Sequence, residues 1–186
     1  GDCCGGKGTE GADYLGPQHY GVTLSVDPKN PLPFAIPAAG AGSTERLKAQ
    51  QLLGRLNRLT ADDNPDDAAL AARIKSYELA FRMQTAVPDV VNSAGETAAT
   101  HKLYGTTGGP TQSFGNLCLT ARRLVERGVR FVQIYHGGGG AGAWDAHSNL
   151  QTNHANNCQQ IDQPIAGLLK DLKQRGLLDS TVVHWG

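Results

Sequence analysis

The sequence predicts an α/β fold: a partial parallel sheet with flanking helices, cut off at both ends. Three stretches of the chain lead to this prediction. Residues 1–42 are rich in glycine and proline and show no helical pattern. Residues 43 to about 127 repeat apolar side chains at three- and four-residue steps, which is typical of helices. After these, the pattern changes to strand, long helix, strand. We therefore divide the chain into an extended arm, 1–42, and a partial α/β domain, 43–186.

The helical region divides into three predicted helices. Ser43 or Thr44 can cap the first, which runs to about Leu59 and carries a stripe of leucines. Pro65 starts the second, which should end near Thr85. The third runs from about 113 to 127, and Gly128 closes it.

The sequence of the last third of the chain predicts a strand–helix–strand unit. Residues 129–135 and 180–185 are β-prone and apolar, and a helix from about 151 to 175 lies between them, with Pro164 kinking or restarting it. Such a unit implies two parallel strands joined by a right-handed crossover. A short strand is also possible at 22–26, within the arm.

Composition excludes several classes of protein. Lys+Arg and Asp+Glu both total 17 in 186 residues, so no excess of positive charge favours nucleic acid as a partner. No apolar run is long enough to span a membrane, and the first residues lack the apolar core of an export signal. The four cysteines are too few and too irregular for a disulfide scaffold, although a Cys118–Cys158 bridge stays open.

A glycine-rich loop after the first predicted strand carries the candidate site. Asp145 and His147 are two residues apart, so in an extended loop both side chains lie on one side and can hold one ion. A carboxylate with an imidazole suits zinc, manganese or iron. His136 and His154 are the nearest residues that could complete the shell. The alternative is a loop in which Asp145 caps a helix and His147 is solvated.

The same glycines suggest a nucleotide site, which we reject. Gly137, Gly139 and Gly142 fit the dinucleotide-binding pattern, but the pattern requires a helix to start at once, and several residues intervene here. We therefore expect no nucleotide cofactor.

Several motifs resemble one bacterial family. Gly-Ala-Trp-Asp-Ala-His at 142–147 and Asp-Gln-Pro-Ile-Ala-Gly-Leu-Leu-Lys at 162–170 are similar to motifs of the DUF1501 family, as are residues 76–89, 102–105 and 118–132. The resemblance covers most of 14–186. It implies sulfatase-like proteins of the alkaline phosphatase superfamily, of which this chain would be an internal fragment.

The resemblance also implies a function. The parent protein would be a metal-dependent hydrolase of sulfate or phosphate esters, acting on a small molecule or a polysaccharide, with a divalent zinc, manganese or calcium ion. Asp145 and His147 would be two of its metal ligands, while the nucleophile would lie outside this sequence, leaving the chain inactive alone. The alternative is a non-catalytic, exported binding or surface-associated domain of the same fold. The family further implies export to the periplasm or cell surface, and a sheet edge left open predicts a homo-oligomer.

Overall fold

The computed structural model describes residues 21–27, 43–67, 70–71, 74–75, 78, 87, 89–137 and 144–186. Its described residues fall into two compact units that divide after Val91. The predicted arm, 1–42, lies outside the described residues apart from 21–27, and so does most of the second predicted helix. In the described parts of the chain, no helix is long and apolar enough to cross a membrane.

The first unit contains one long helix among its described residues. Helix α1 spans Ser43–Asp63, so it already includes Ser43, one of the two residues predicted to cap it, and it continues four residues beyond Leu59. The predicted helix after Pro65 is seen only in part, at 70–71, 74–75 and 78, which are helical. A small apolar cluster forms where Leu24 packs against Val87 and Val91.

The described residues of the second unit form a bundle of three helices. Helix α2 spans Ala98–Tyr104, α3 spans Gln112–Glu126 and α4 spans Leu150–Gln174. Short 3₁₀ turns at Ser93–Gly95 and Leu178–Ser180 precede α2 and follow α4. The core lies between α2, α3 and α4, around Tyr104, Phe114, Cys118, Leu119 and Ile161.

Glycines allow these helices to approach closely. Gly115 on α3 packs against the carbonyl oxygen of Tyr104, and Gly167 on α4 packs against that of Leu103; a Cβ would lie 2.2 Å and 2.7 Å from these atoms, respectively. Gly128 follows α3 with φ +83°, as the predicted C-terminal glycine requires. Helix α4 continues through Pro164.

The predicted parallel sheet is wrong. Residues 129–136 and 181–186 belong to no helix, and neither do 22–26, but none of them pairs with another segment as a strand among the described residues. Residues 131–136 nevertheless have the two-residue period that the predicted strand implies, since Phe131, Gln133 and Tyr135 are exposed while the residues between them are half-buried. A strand exists only with a neighbour to supply its hydrogen bonds, and β-propensity does not reveal whether that neighbour is present. The described fold is therefore helical.

Candidate functional site

The second unit contains a groove between its helices and two extended segments of the chain. It has a volume of about 580 Å³, and α3 and α4 form its walls. The extended segments 132–136 and 182–186 form its other borders. Most of the lining is aliphatic or aromatic: Phe114, Ala121, Val125, Val132, Ile134, Trp144, Ile165, Leu168, Leu172, Val182, Val183 and Trp185.

Along two borders of this groove, the backbone N–H and C=O groups have no backbone hydrogen-bond partner among the described residues. Where the structure describes the chain, residues 130–136 and 182–186 make no backbone hydrogen bond. Val132, Ile134 and His136 face the groove, while Tyr135 between them is 44% exposed. A row of free N–H and C=O groups beside an apolar wall is the arrangement to which another extended chain can add.

His136 closes the aromatic end of the groove. The indole N–H of Trp144 donates to its Nδ1 at 3.2 Å, and its Nε2 lies 3.2 Å from Oε1 of Gln160. Because an indole N–H can only donate, Nδ1 must be the acceptor and Nε2 carries the proton that Gln160 accepts. The ring also packs edge-on against Phe114, with centroids 5.1 Å apart. In this arrangement His136 is neutral and both of its nitrogens are engaged.

Trp144 joins three parts of the second unit. Its carbonyl oxygen accepts a hydrogen bond from Nε2 of His154 on α4, at 2.9 Å. Its ring stands nearly perpendicular to that of Trp185, with centroids 6.0 Å apart. The loop that follows the predicted first strand is therefore held to α4 and to the last extended segment by one residue.

The predicted metal ligands separate into two groups. Asp145 and His147 meet as predicted, with Oδ2 and Nε2 2.9 Å apart, and both side chains are largely exposed. His136 and His154 instead bind Trp144. In the described residues, no group of three or more His, Cys, Asp or Glu side chains is placed to hold one ion. A catalytic zinc takes three protein ligands, so Asp145 and His147 by themselves do not make up such a set.

A buried ion network that the sequence did not reveal lies beside the groove. Arg122, which is 2% exposed, donates through Nη1 to Glu126 at 2.6 Å. Its Nη2 and Nε lie 2.9 Å from oxygens of Glu96 and Asp171, but their N–H bonds are not aligned for hydrogen bonding. The hydroxyl of Tyr104 donates to Asp171 at 2.9 Å. Burial alone would lower the pKa of Arg122, but the carboxylates outweigh it and raise that pKa.

Two further arginines balance this network. Arg123 pairs with Glu96, and Arg175 donates to Asp171 at 2.7 Å and to Glu126 at 2.6 Å. Three guanidinium groups therefore neutralise three carboxylates. No local pattern could have revealed the network, because Glu96, Arg122 and Asp171 lie far apart in sequence and meet only when α3 packs on α4 and on the segment before α2.

Cys118 lies on the wall of the groove, where its thiol is buried. It is 1% exposed, and burial raises its pKa to about 12. Cys118 and Cys158 are both free thiols, so the bridge left open by the sequence is not formed.

Comparison with known proteins gives one match. The family described as protein of unknown function, DUF1501, matches residues 1–186. The chain belongs to the DUF1501 family. No curated protein and no solved structure matches this DUF1501 chain. The family resemblance predicted from the motifs is thus confirmed at the level of the family itself.

Proposed function

We propose that this DUF1501 chain is a binding module whose groove takes an extended, apolar stretch of polypeptide. The observation that carries the proposal is the pair of unpaired extended segments, 130–136 and 182–186, on the borders of one apolar groove. It corresponds to the non-catalytic alternative that the sequence analysis left open.

A polypeptide uses both properties of the groove. Its apolar side chains gain roughly 25 cal/mol per Å² of surface removed from water. Its backbone can also pair with the free N–H and C=O groups, at about 0.5–1.5 kcal/mol net for each hydrogen bond. A small apolar compound gains only the first contribution. The described lining of the groove contains no Asp, Glu or Lys, and the charge of Arg122 is already neutralised by its carboxylate partners.

Tryptophan fluorescence tests this proposal directly. The chain has two tryptophans, and both Trp144 and Trp185 line the groove. Titration with a soluble peptide of alternating threonine and valine should shift their emission to the blue and saturate. The same peptide with alternate backbone nitrogens methylated keeps its side chains but cannot donate from those positions. We expect it to bind at least tenfold more weakly.

A matched pair of variants locates the binding site. Ile134→Asp places a charge on the groove side of the extended segment and should abolish peptide binding, whereas Tyr135→Asp places it on the exposed side and should leave binding unchanged. Equal affinity for the methylated peptide would contradict backbone pairing. Absence of any saturable shift would contradict a peptide site altogether.

A second function is favoured by the contact between Asp145 and His147. We propose that these residues are two metal ligands of a sulfate or phosphate ester hydrolase, a small-molecule or polysaccharide esterase of the alkaline phosphatase superfamily, with the remaining ligands supplied from outside the described residues. The 2.9 Å contact supports it, because it brings the two exposed side chains close enough together to bind one ion. Export and the superfamily relationship rest on the motif resemblance and belong to this proposal.

Calorimetric titration with zinc or manganese at neutral pH tests the metal ligands. We expect weak binding, on the order of micromolar or worse, because two ligands do not close a coordination shell. Asp145→Ala and His147→Ala should each abolish that binding, while His184→Ala should not. Zinc binding that is unchanged in the first two variants would remove them from the proposed site. We also expect no turnover of aryl sulfate or aryl phosphate esters by this chain.

A further inference from the structure

Helix α1 carries a row of exposed leucines. Leu52, Leu53, Leu56 and Leu59 are 58%, 59%, 50% and 62% exposed, respectively. Leu52, Leu56 and Leu59 are spaced four and three residues apart, so they form one stripe along the 21-residue helix. Exposed apolar surface of this kind marks an interaction site in soluble proteins.

Charged residues border this stripe at a seven-residue spacing. Lys48, Arg55 and Asp62 lie on the same flank of the leucines and are exposed. The flank is therefore basic toward the start of α1 and acidic at its end. Within the described residues none of the three forms an ion pair.

We infer that α1 pairs with α1 of a second copy of this chain in antiparallel orientation, burying the leucine stripe between them. In that orientation, Leu52 packs against Leu56 of the partner subunit. The same register brings Lys48 near Asp62 of the partner subunit, and the two-fold axis repeats the pair at the other end.

The charges select the antiparallel arrangement. A parallel pair would set Lys48 beside its own copy and Asp62 beside its own copy, which is repulsive at both ends. The antiparallel pair has like-charge contacts at Arg55 on the axis and, at each end, between Glu45 and Asp63 of the partner subunit. A parallel pair would set all five of these charged residues beside their own copies and would contain no opposite-charge pair. The remaining like-charge contacts involve exposed residues, where solvent screens them. This inference involves only the first unit and is independent of the proposed groove function.

Sedimentation velocity over a range of concentrations tests the inference on the full chain. We expect a dimer that Leu56→Asp converts to monomer. Because Leu56 is already exposed, this substitution should not unfold the helix, and circular dichroism checks that point. Leu150→Asp, at an equally exposed leucine on α4, is the control and should leave the dimer intact.

A charge exchange tests the orientation. Lys48→Asp and Asp62→Lys should each weaken association at least tenfold, since each makes both end pairs repulsive. The double variant Lys48→Asp/Asp62→Lys recreates the opposite pairs and should restore association. A wild-type chain that stays monomeric at high concentration would overturn the inference. A dimer that dissociates with Leu56→Asp but ignores all three charge variants would overturn the antiparallel register.

Discussion

Gly115 on α3 lies against the backbone carbonyl of Tyr104, at the end of α2, so closely that no side chain fits between them. A Cβ on Gly115 would approach that oxygen to 2.2 Å, and the obstacle is main chain that cannot rotate away. This contact sets how near α2 and α3 can lie, and thereby places Tyr104 beside the buried ion network.

Gly115→Ala should therefore destabilise the protein by about 1–3 kcal/mol, the usual cost of overpacking a core. The substitution would otherwise be favourable, because alanine is the better helix former. Urea denaturation at pH 7 measures the change. Ser113→Ala, at an exposed position of the same helix, is the control and should change the free energy of unfolding by no more than about 0.5 kcal/mol. Equal stability of Gly115→Ala and the wild type would show that the two helices can separate without cost.

Arg122→Met should cost about 3–5 kcal/mol, since it leaves the three carboxylates of the network with only two guanidinium groups, Arg123 and Arg175, to neutralise them. The side chain is 2% exposed and contacts Glu96, Glu126 and Asp171, so water cannot replace it. The change is again measured by urea denaturation. Lys170→Met removes one positive charge from an exposed position on α4 and should be nearly neutral. A loss below about 1 kcal/mol for Arg122→Met would mean that the network contributes little, as for surface ion pairs.

Acid should weaken the fold through Glu96. Burial alone would raise its pKa, but the guanidinium groups of Arg122 and Arg123 outweigh burial and hold the pKa below the ordinary value of 4.5. The folded state therefore binds the Glu96 proton less readily than the unfolded state does. The resulting stabilisation is fully present above pH 4.5 and is lost as the pH falls through the lowered folded pKa.

The variant Glu96→Gln isolates this contribution. It should be less stable than the wild type at pH 7, and its free energy of unfolding should fall less steeply below pH 4.5. Urea denaturation at a series of pH values from neutral to acid measures both slopes. Parallel pH profiles for the wild type and Glu96→Gln would show that Glu96 does not cause the loss of stability in acid.

Alkylation should distinguish the two described cysteines. With a pKa raised to about 12 and 1% exposure, Cys118 is almost entirely an inaccessible thiol at pH 8, whereas Cys158 is partly exposed. Iodoacetamide should therefore modify Cys158 at least tenfold faster in the native protein, as followed by mass spectrometry of the separate peptides. In urea the two rates should converge. Rapid native modification of Cys118 would show that the groove wall opens readily.

Helices were predictable because their signals are local. The start of α1 near Ser43, the extent of α3 and its closing Gly128 were all foreseen from caps and from apolar spacing within a few residues. The alternation along 131–136 was foreseen for the same reason, since side chains on extended backbone alternate between two sides wherever the chain lies. The contact between Asp145 and His147 also needed only two residues of separation.

Pairing between distant residues was decided by tertiary structure alone. Whether residues 129–136 become a strand depends on a neighbouring strand, and the described residues place none beside them, so a correct local period led to a wrong fold class. His136 looked like a metal ligand by its place in sequence, yet packing aims the Trp144 indole at it. Arg122 looked like one more helix charge, yet the approach of α3 and α4 buries it among three carboxylates. Hydrogen bonds and ion pairs of this kind form between groups far apart along the chain. For that reason the sequence alone determined the helices and the family, while the groove and the ion network came from how the helices pack.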